Sequence, residues 1–227
     1  MLAVIVPAHN EERELDSCLQ CLVQAARWPA LGGESVLLVV VLDACTDDSA
    51  AIAHRMGVET VQIDARNVGA ARAAGAALAL KVGARWLAFT DADSRVAPNW
   101  LHAQLVQDSD AVCGTVQVVH WGSYGDDMRR HYAATYHDAD GHRHIHGANL
   151  GVSAEAYRRV GGFQPLASSE DVALVDALKS CGARIAWSAA PRVTTSARRV
   201  FRAPGGFGAT LQRVDDESRA LAGAVPP

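Results

Sequence analysis

Val36-Leu37-Leu38-Val39-Val40-Val41-Leu42 is an unbroken apolar run that stops on Asp43. It is too short for a buried helix and reads as a strand covered on both faces. The same reading extends to residues 2–6, which Pro7 is expected to end, and 58–63 and 86–90 read as a third and a fourth strand. Helical patterns lie between these runs. Residues 11–27 place Leu15, Cys18, Leu19 and Leu22 on one face, Thr46 is expected to cap a helix reaching about residue 56, and 70–82 is rich in alanine. Strands alternating with helices predict an α/β fold: one domain, with a mostly parallel central sheet and helices on both faces.

Ligands of such sheets sit beyond the carboxyl ends of the strands. Pro7-Ala8-His9-Asn10-Glu11 follows the first strand, Asp43 the second and Asp91-Ala92-Asp93 the fourth, so three polar clusters should share one rim. From residue 98 the pattern changes. A short helix (99–106) leads to a β-rich stretch (111–119), and 121–144 is polar and without a clear period, the expected place for a mobile or substrate-specific loop. Order returns at 145–153, followed by a helix closed by Gly161-Gly162, a helix over 170–181 ended by Gly182, and a short strand at 185–187.

A chain of 227 residues with 49% hydrophobic and 20% charged residues can bury one full core. Its net charge of -4 argues against a nucleic-acid binder, whose domain would be basic. Five cysteines are an odd number for a disulfide framework, and the Cys18/Cys21 pair has no second pair to complete a zinc site. No run approaches the length of a membrane span and no secretory leader is visible. A cytoplasmic protein is expected, with peripheral membrane contact left open.

Asp91 and Asp93, one residue apart at a strand end, can both face one hard divalent cation, Mn²⁺ or Mg²⁺; an Asp-rich turn would read the same way. Asp43 can accept from a ribose or base, or simply sit beside a helix start. Arg72 lies among small residues (67–75) and can reach a phosphate or remain on the surface. No GxGxxG or Walker A sequence occurs. Glu170-Asp171 can supply a base for a hydroxyl, although acidic residues suit any first helical turn. His142, His144 and His146 alternate, which fits a metal site or a solvated loop.

Together these clusters resemble the family 2 glycosyltransferases of the GT-A fold, specifically small soluble members. Residues 4–12 look like the family's opening strand and P-x-x-N-E loop, and 42–49 are similar to its D-D-G-S-T-D-D segment. Residues 90–94 look like the DxD region, Gly147-Ala148-Asn149 through Gly161-Gly162-Phe163 resembles G-x-N…G-G-F, and Glu170-Asp171 matches E-D. The resemblance implies a nucleoside-diphosphate-sugar donor and a hydroxyl acceptor. Pro7, Glu11, Asp43, Arg72 and Asp91 would line the nucleotide, Asp93 would bind the metal, and His146, Gly147 and Asn149 would lie at the donor or acceptor sugar. Asp171 would be the base of an inverting transfer, with Glu170 beside it at the acceptor. Residues 1–97 would form the nucleotide-binding half, 98–195 the acceptor half and 196–227 a tail, basic at Arg198, Arg199 and Arg202, of which Arg198 and Arg199 would close over the diphosphate. Leu42, Ala44, Cys45 and Ala73 depart from the pattern, and a third metal ligand is not identifiable. A sugar nucleotidyltransferase would carry a Gly-rich basic signature where Pro7-Ala8-His9-Asn10 stands, and a non-catalytic binder would not need Asp171.

Overall fold

The computed structural model describes residues 1–119, 121, 124–196, 212 and 215. The tail arginines named above lie outside the described residues.

The apolar runs become β1 (Leu2–Ala8), β2 (Val36–Asp43), β3 (Glu59–Ile63) and β4 (Trp86–Phe89), paired in parallel in the order β3-β2-β1-β4. Alternation explains the double burial of β1 and β2, while β3, at the edge of the sheet, is largely exposed. Leu2, Val4 and Val6 join Val40 and Leu42 in the core under α1 (Leu15–Ala26) and α2 (Ser49–Arg55), while Ala3 and Ile5 join Val39 and Val41 under α3 (Val68–Lys81). Gly75 of α3 allows this close packing, since a Cβ there would stand 2.5 Å from Ile5 Cγ2 and 2.9 Å from Val41 Cγ2. Gly75→Ala should therefore overpack the core and lower stability by about 1–3 kcal/mol, measured by urea denaturation.

Beyond β4 the sheet continues through β7 (Leu150–Ser153), β6 (Ala111–Val118), β8 (Ile185–Thr195) and β5 (Arg95–Val96). β7 runs antiparallel to both β4 and β6, which makes β6 parallel to β4. The strand order reverses direction at β1, with β2 on one side and β4 on the other, so the switch point lies between the ends of β1 and β4. α4 (Trp100–Leu105), α5 (Asp126–Thr135), α6 (Ala154–Arg159) and α7 (Glu170–Ser180) complete the layers.

Five expectations require correction. β1 does not end before Pro7. Its Ile5 carbonyl accepts from Thr90 on the β4 side, and Pro7, two residues on, faces that side where β4 has finished, so its missing N–H is not needed there. α1 starts at Leu15, because Glu11 is held in a turn by its N–H bond to Ser49 Oγ at 2.8 Å. Thr46 does not cap α2; its N–H bonds to Asn10 Oδ1 at 2.7 Å, and the helix begins at Ser49. The aperiodic stretch contains a helix, α5. β8 is far longer than expected, continuing past Pro191 through an irregular register opposite Gly114 and Val116.

Candidate active site

The carboxyl ends of β1, β2 and β3 are laced together by short polar loops. Asn10, Ala44 and Arg66, one after each strand, have φ of 56°, 50° and 49°, a left-handed backbone that costs a non-glycine residue free energy. Local bonds hold it. Asn10 Oδ1 accepts from Thr46, Glu12 N–H donates to Asp47 Oδ2 at 2.9 Å, and His9 Nδ1 lies 2.6 Å from the Asp43 carbonyl.

Asp43, 3% exposed, accepts from Ala65 and Arg66 N–H through Oδ1, both at 2.8 Å, and from Asn67 N–H through Oδ2 at 2.7 Å. Its first task is thus to fix the loop into α3, where Asn67 caps the helix by accepting from Ala70 N–H at 2.8 Å. Oδ2 receives one backbone donor and has room for a second. Glu11 is buried and Pro7 half-buried on the same rim.

Arg72 joins the rest. It is 3% exposed, and its guanidinium bonds Glu170 Oε1 on one nitrogen and Asp91 Oδ1 at 2.6 Å on the other. Phe163 of the Gly161-Gly162-Phe163 turn presents its ring 5.6 Å from the guanidinium carbon. A Cβ on Gly147 would meet the guanidinium at 2.3 Å, so only glycine lets that backbone lie on it. Burial opposes the Arg72 charge, but Asp91 and then Glu170 outweigh it and hold its pKa above the usual value. Burial pushes the Glu170 carboxyl up, with Arg72 opposing.

Asp171 follows Glu170 in the first turn of α7, after Ser169 at φ 61°. Its Oδ2 accepts from Gly147 N–H and its Oδ1 from Val172 N–H, both at 2.8 Å. Each oxygen has capacity for a further bond, and the residue is half-exposed. Asp91 and Asp93 are likewise half-exposed and alternate with buried Ala92 and Ser94. Arg72, Asp91, Gly147, Glu170 and Asp171 are therefore one connected cluster built from α3, the end of β4, the turn before β7 and the start of α7.

Two of the expected site residues are buried and bonded within the protein. Arg72 does not stand open on the surface, since each terminal nitrogen bonds a carboxylate. Asn149 is fastened inside the fold. It is 1% exposed, donates to the Thr115 and Pro191 carbonyls at 2.7 and 2.9 Å, and accepts from Trp100 Nε1 at 2.8 Å. Glycine at 114 makes room for it, since a Cβ there would lie 2.2 Å from Asn149 Nδ2. The alternating histidines neither converge on a point nor face water freely. His142, His144 and His146 stack at 5.4 and 5.8 Å between ring centroids, and His144 stacks on Tyr136 at 4.1 Å. Tyr136 was missed altogether, although Met128, Tyr132 and Tyr136 at intervals of four residues carried the helical signal.

Among the described residues no group of three or more His, Cys, Asp or Glu side chains could hold a metal alone. Asp91 and Asp93 supply hard oxygen at an open rim, which suits a Mg²⁺ or Mn²⁺ bound by one or two carboxylates and completed by substrate phosphates.

The sheet and its carboxylate rim define an α/β domain of the GT-A type. Residues 3–161 match the model of glycosyl transferase family 2, and the chain belongs to that family. Solved structures agree on the fold. Residues 1–349 of S. aureus TarS in complex with UDP-GlcNAc superpose with a TM-score of 0.67 at 16% identity, over 96% of this chain and 66% of that one. The mannosyltransferase PcManGT from Pyrobaculum calidifontis, in complex with GDP-Man and Mn²⁺, gives 0.62 at 16% identity, over 100% of this chain and 76% of the other. A mycobacterial protein gives 0.61 at 18% identity, covering 98% and 73%. The chain spans about two thirds or less of the TarS chains it matches, 43% of the longest. A comparison with curated protein sequences finds no match. No helix among the described residues is long and apolar enough to cross a membrane.

Proposed function

We propose that this domain transfers a sugar from a nucleoside-diphosphate sugar to a hydroxyl acceptor, with inversion, using Asp171 as the base. The observation that carries the reading is the Arg72 bridge. It couples Asp91, beside the switch point of the sheet, to Glu170, whose neighbour Asp171 is half-exposed. Two solved GT-A structures hold UDP-GlcNAc and GDP-Man, the donor chemistry invoked here.

In this reading Pro7, Glu11 and Asp43 line the nucleoside, Asp43 through the second acceptor position on Oδ2. The ribose and diphosphate lie over Asp91 and Asp93, and Asp93 holds Mn²⁺ or Mg²⁺. The metal, when bound, neutralises charge developing on the leaving diphosphate. Asp171 takes the proton of the acceptor hydroxyl as that oxygen attacks the anomeric carbon, and Glu170 keeps Arg72 in place beneath it. His146 and Gly147 border the sugar. Residues 1–97 supply the donor half and 98–195 the acceptor half. The five free cysteines among the described residues suit a reducing, cytoplasmic compartment.

A thermal-shift series with Mn²⁺ and nucleoside diphosphates tests the donor site. A diphosphate at a hundred times its Kd should stabilise the protein by about 2.7 kcal/mol. The shift should require metal and vanish in Asp93→Ala. An equal shift without metal, or an undiminished one in the variant, would remove Asp93 from the metal site.

A further inference from the structure

Tyr136 and His146 lie outside the Arg72 cluster, yet bonds connect them to its base. Tyr136 ends α5, with the Tyr132 ring stacked on it at 4.7 Å and the His144 ring at 4.1 Å. Its hydroxyl oxygen accepts the Val116 N–H at 2.9 Å, at the register break of β6, and lies 2.9 Å from His146 Nε2. The pair is read with the Tyr136 hydroxyl donating to Nε2 and His146 carrying its own proton on Nδ1. His146 is the residue before Gly147, and its carbonyl accepts from Asn149 N–H at 2.9 Å, closing the tight turn that aims Gly147. Gly147 N–H then binds Asp171 Oδ2 at 2.8 Å.

We propose that Tyr136 and His146 are positioning residues for Asp171, acting through the Gly147 N–H, so that the segment carrying α5 sets the aim of the base. This rests on the reading of Asp171 as base. The pair is suited to it because His146 remains neutral. Burial, then His144 and His142, hold its pKa down to about 3, so the ring does not gain a second proton at any working pH and one nitrogen is always an acceptor. Rings stacked on Tyr136 restrict its side chain, and the Asn149 amide anchors the far end of the turn to Thr115 and Pro191. A base misplaced by about 1 Å can lose on the order of 10²-fold in rate, so such support has a measurable consequence.

The test combines kinetics with hydrogen exchange at the Gly147 amide. Tyr136→Phe keeps the ring and removes only the hydroxyl. It should lower kcat roughly 10- to 100-fold, leave the donor KM unchanged, and speed Gly147 exchange by about tenfold or more. His146→Gln, which retains an acceptor for the Tyr136 hydroxyl, should lower kcat and speed Gly147 exchange less than His146→Ala does. Combined with Asp171→Asn, Tyr136→Phe should cost little more, because both act on one group. Unchanged Gly147 exchange, a loss confined to donor KM, or fully additive losses would overturn the proposal while Asp171 remained the base. Full activity in Asp171→Asn would overturn the base reading, and this proposal with it.

Discussion

Asp171→Asn should lower kcat for sugar transfer by roughly 10²–10⁴-fold, the usual contribution of a positioned general base. Asparagine keeps the shape and one carbonyl oxygen to accept the Gly147 N–H, so the turn before β7 should stand. What disappears is an oxygen able to take the acceptor proton. Donor affinity should be unchanged, because Asp171 contacts none of the β1, β2 or β4 loops assigned to the nucleotide. The informative result is therefore a split between kcat and donor binding, read by steady-state kinetics beside calorimetry. Equal loss of both would mean that Asp171 holds the fold or the donor and does not serve as base.

The second large effect concerns stability. Arg72→Met should destabilise the protein by about 3–5 kcal/mol, the usual consequence of removing one partner from a buried ion pair. Glu170 is 5% exposed and would be left as a buried carboxylate without its cation, while Asp91 would lose its fixed neighbour. The deficit should depend on pH. Burial already raises the Glu170 pKa, and Arg72 is the largest influence lowering it. A carboxyl with a raised pKa binds its proton more readily in the folded state than in the unfolded one. Stability then falls as pH rises through the folded pKa. Urea midpoints should accordingly place the variant nearest the parent protein in acid and furthest from it in alkali. Glu170→Gln in the same chain should remove most of that pH dependence. A pH-independent deficit would mean that lost packing against Phe163 and Gly147 dominates.

The parallel half of the sheet was legible because β1, β2 and β4 are continuous apolar runs, and 36–42 could be little else. The rim followed from topology, since parallel strands end together. What the sequence concealed was bonding between distant residues. Asp43 accepts from residues 22 to 24 positions away, so its role in shaping the β3–α3 loop left no local trace. The burial of Arg72 was not legible because its partner Glu170 lies 98 residues on. Asn149 matched a motif whose visible residue is a fastener between β6 and β8. The length of β8 was hidden by Pro191, which sits in the irregular stretch where the β6 ladder is interrupted. α5 was overlooked because polar composition outweighed the four-residue spacing of Met128, Tyr132 and Tyr136.

The most direct test of the central claim is turnover of the donor itself. The protein would be incubated with Mn²⁺ and a panel of UDP- and GDP-sugars, with and without simple hydroxyl acceptors, and release of the nucleoside diphosphate followed over time. Metal-dependent release from at least one donor, absent in Asp93→Ala and strongly reduced in Asp171→Asn, is the predicted result. Folded protein that cleaves none of these donors and binds none of their diphosphates would contradict the assignment of this rim as a sugar-transfer site.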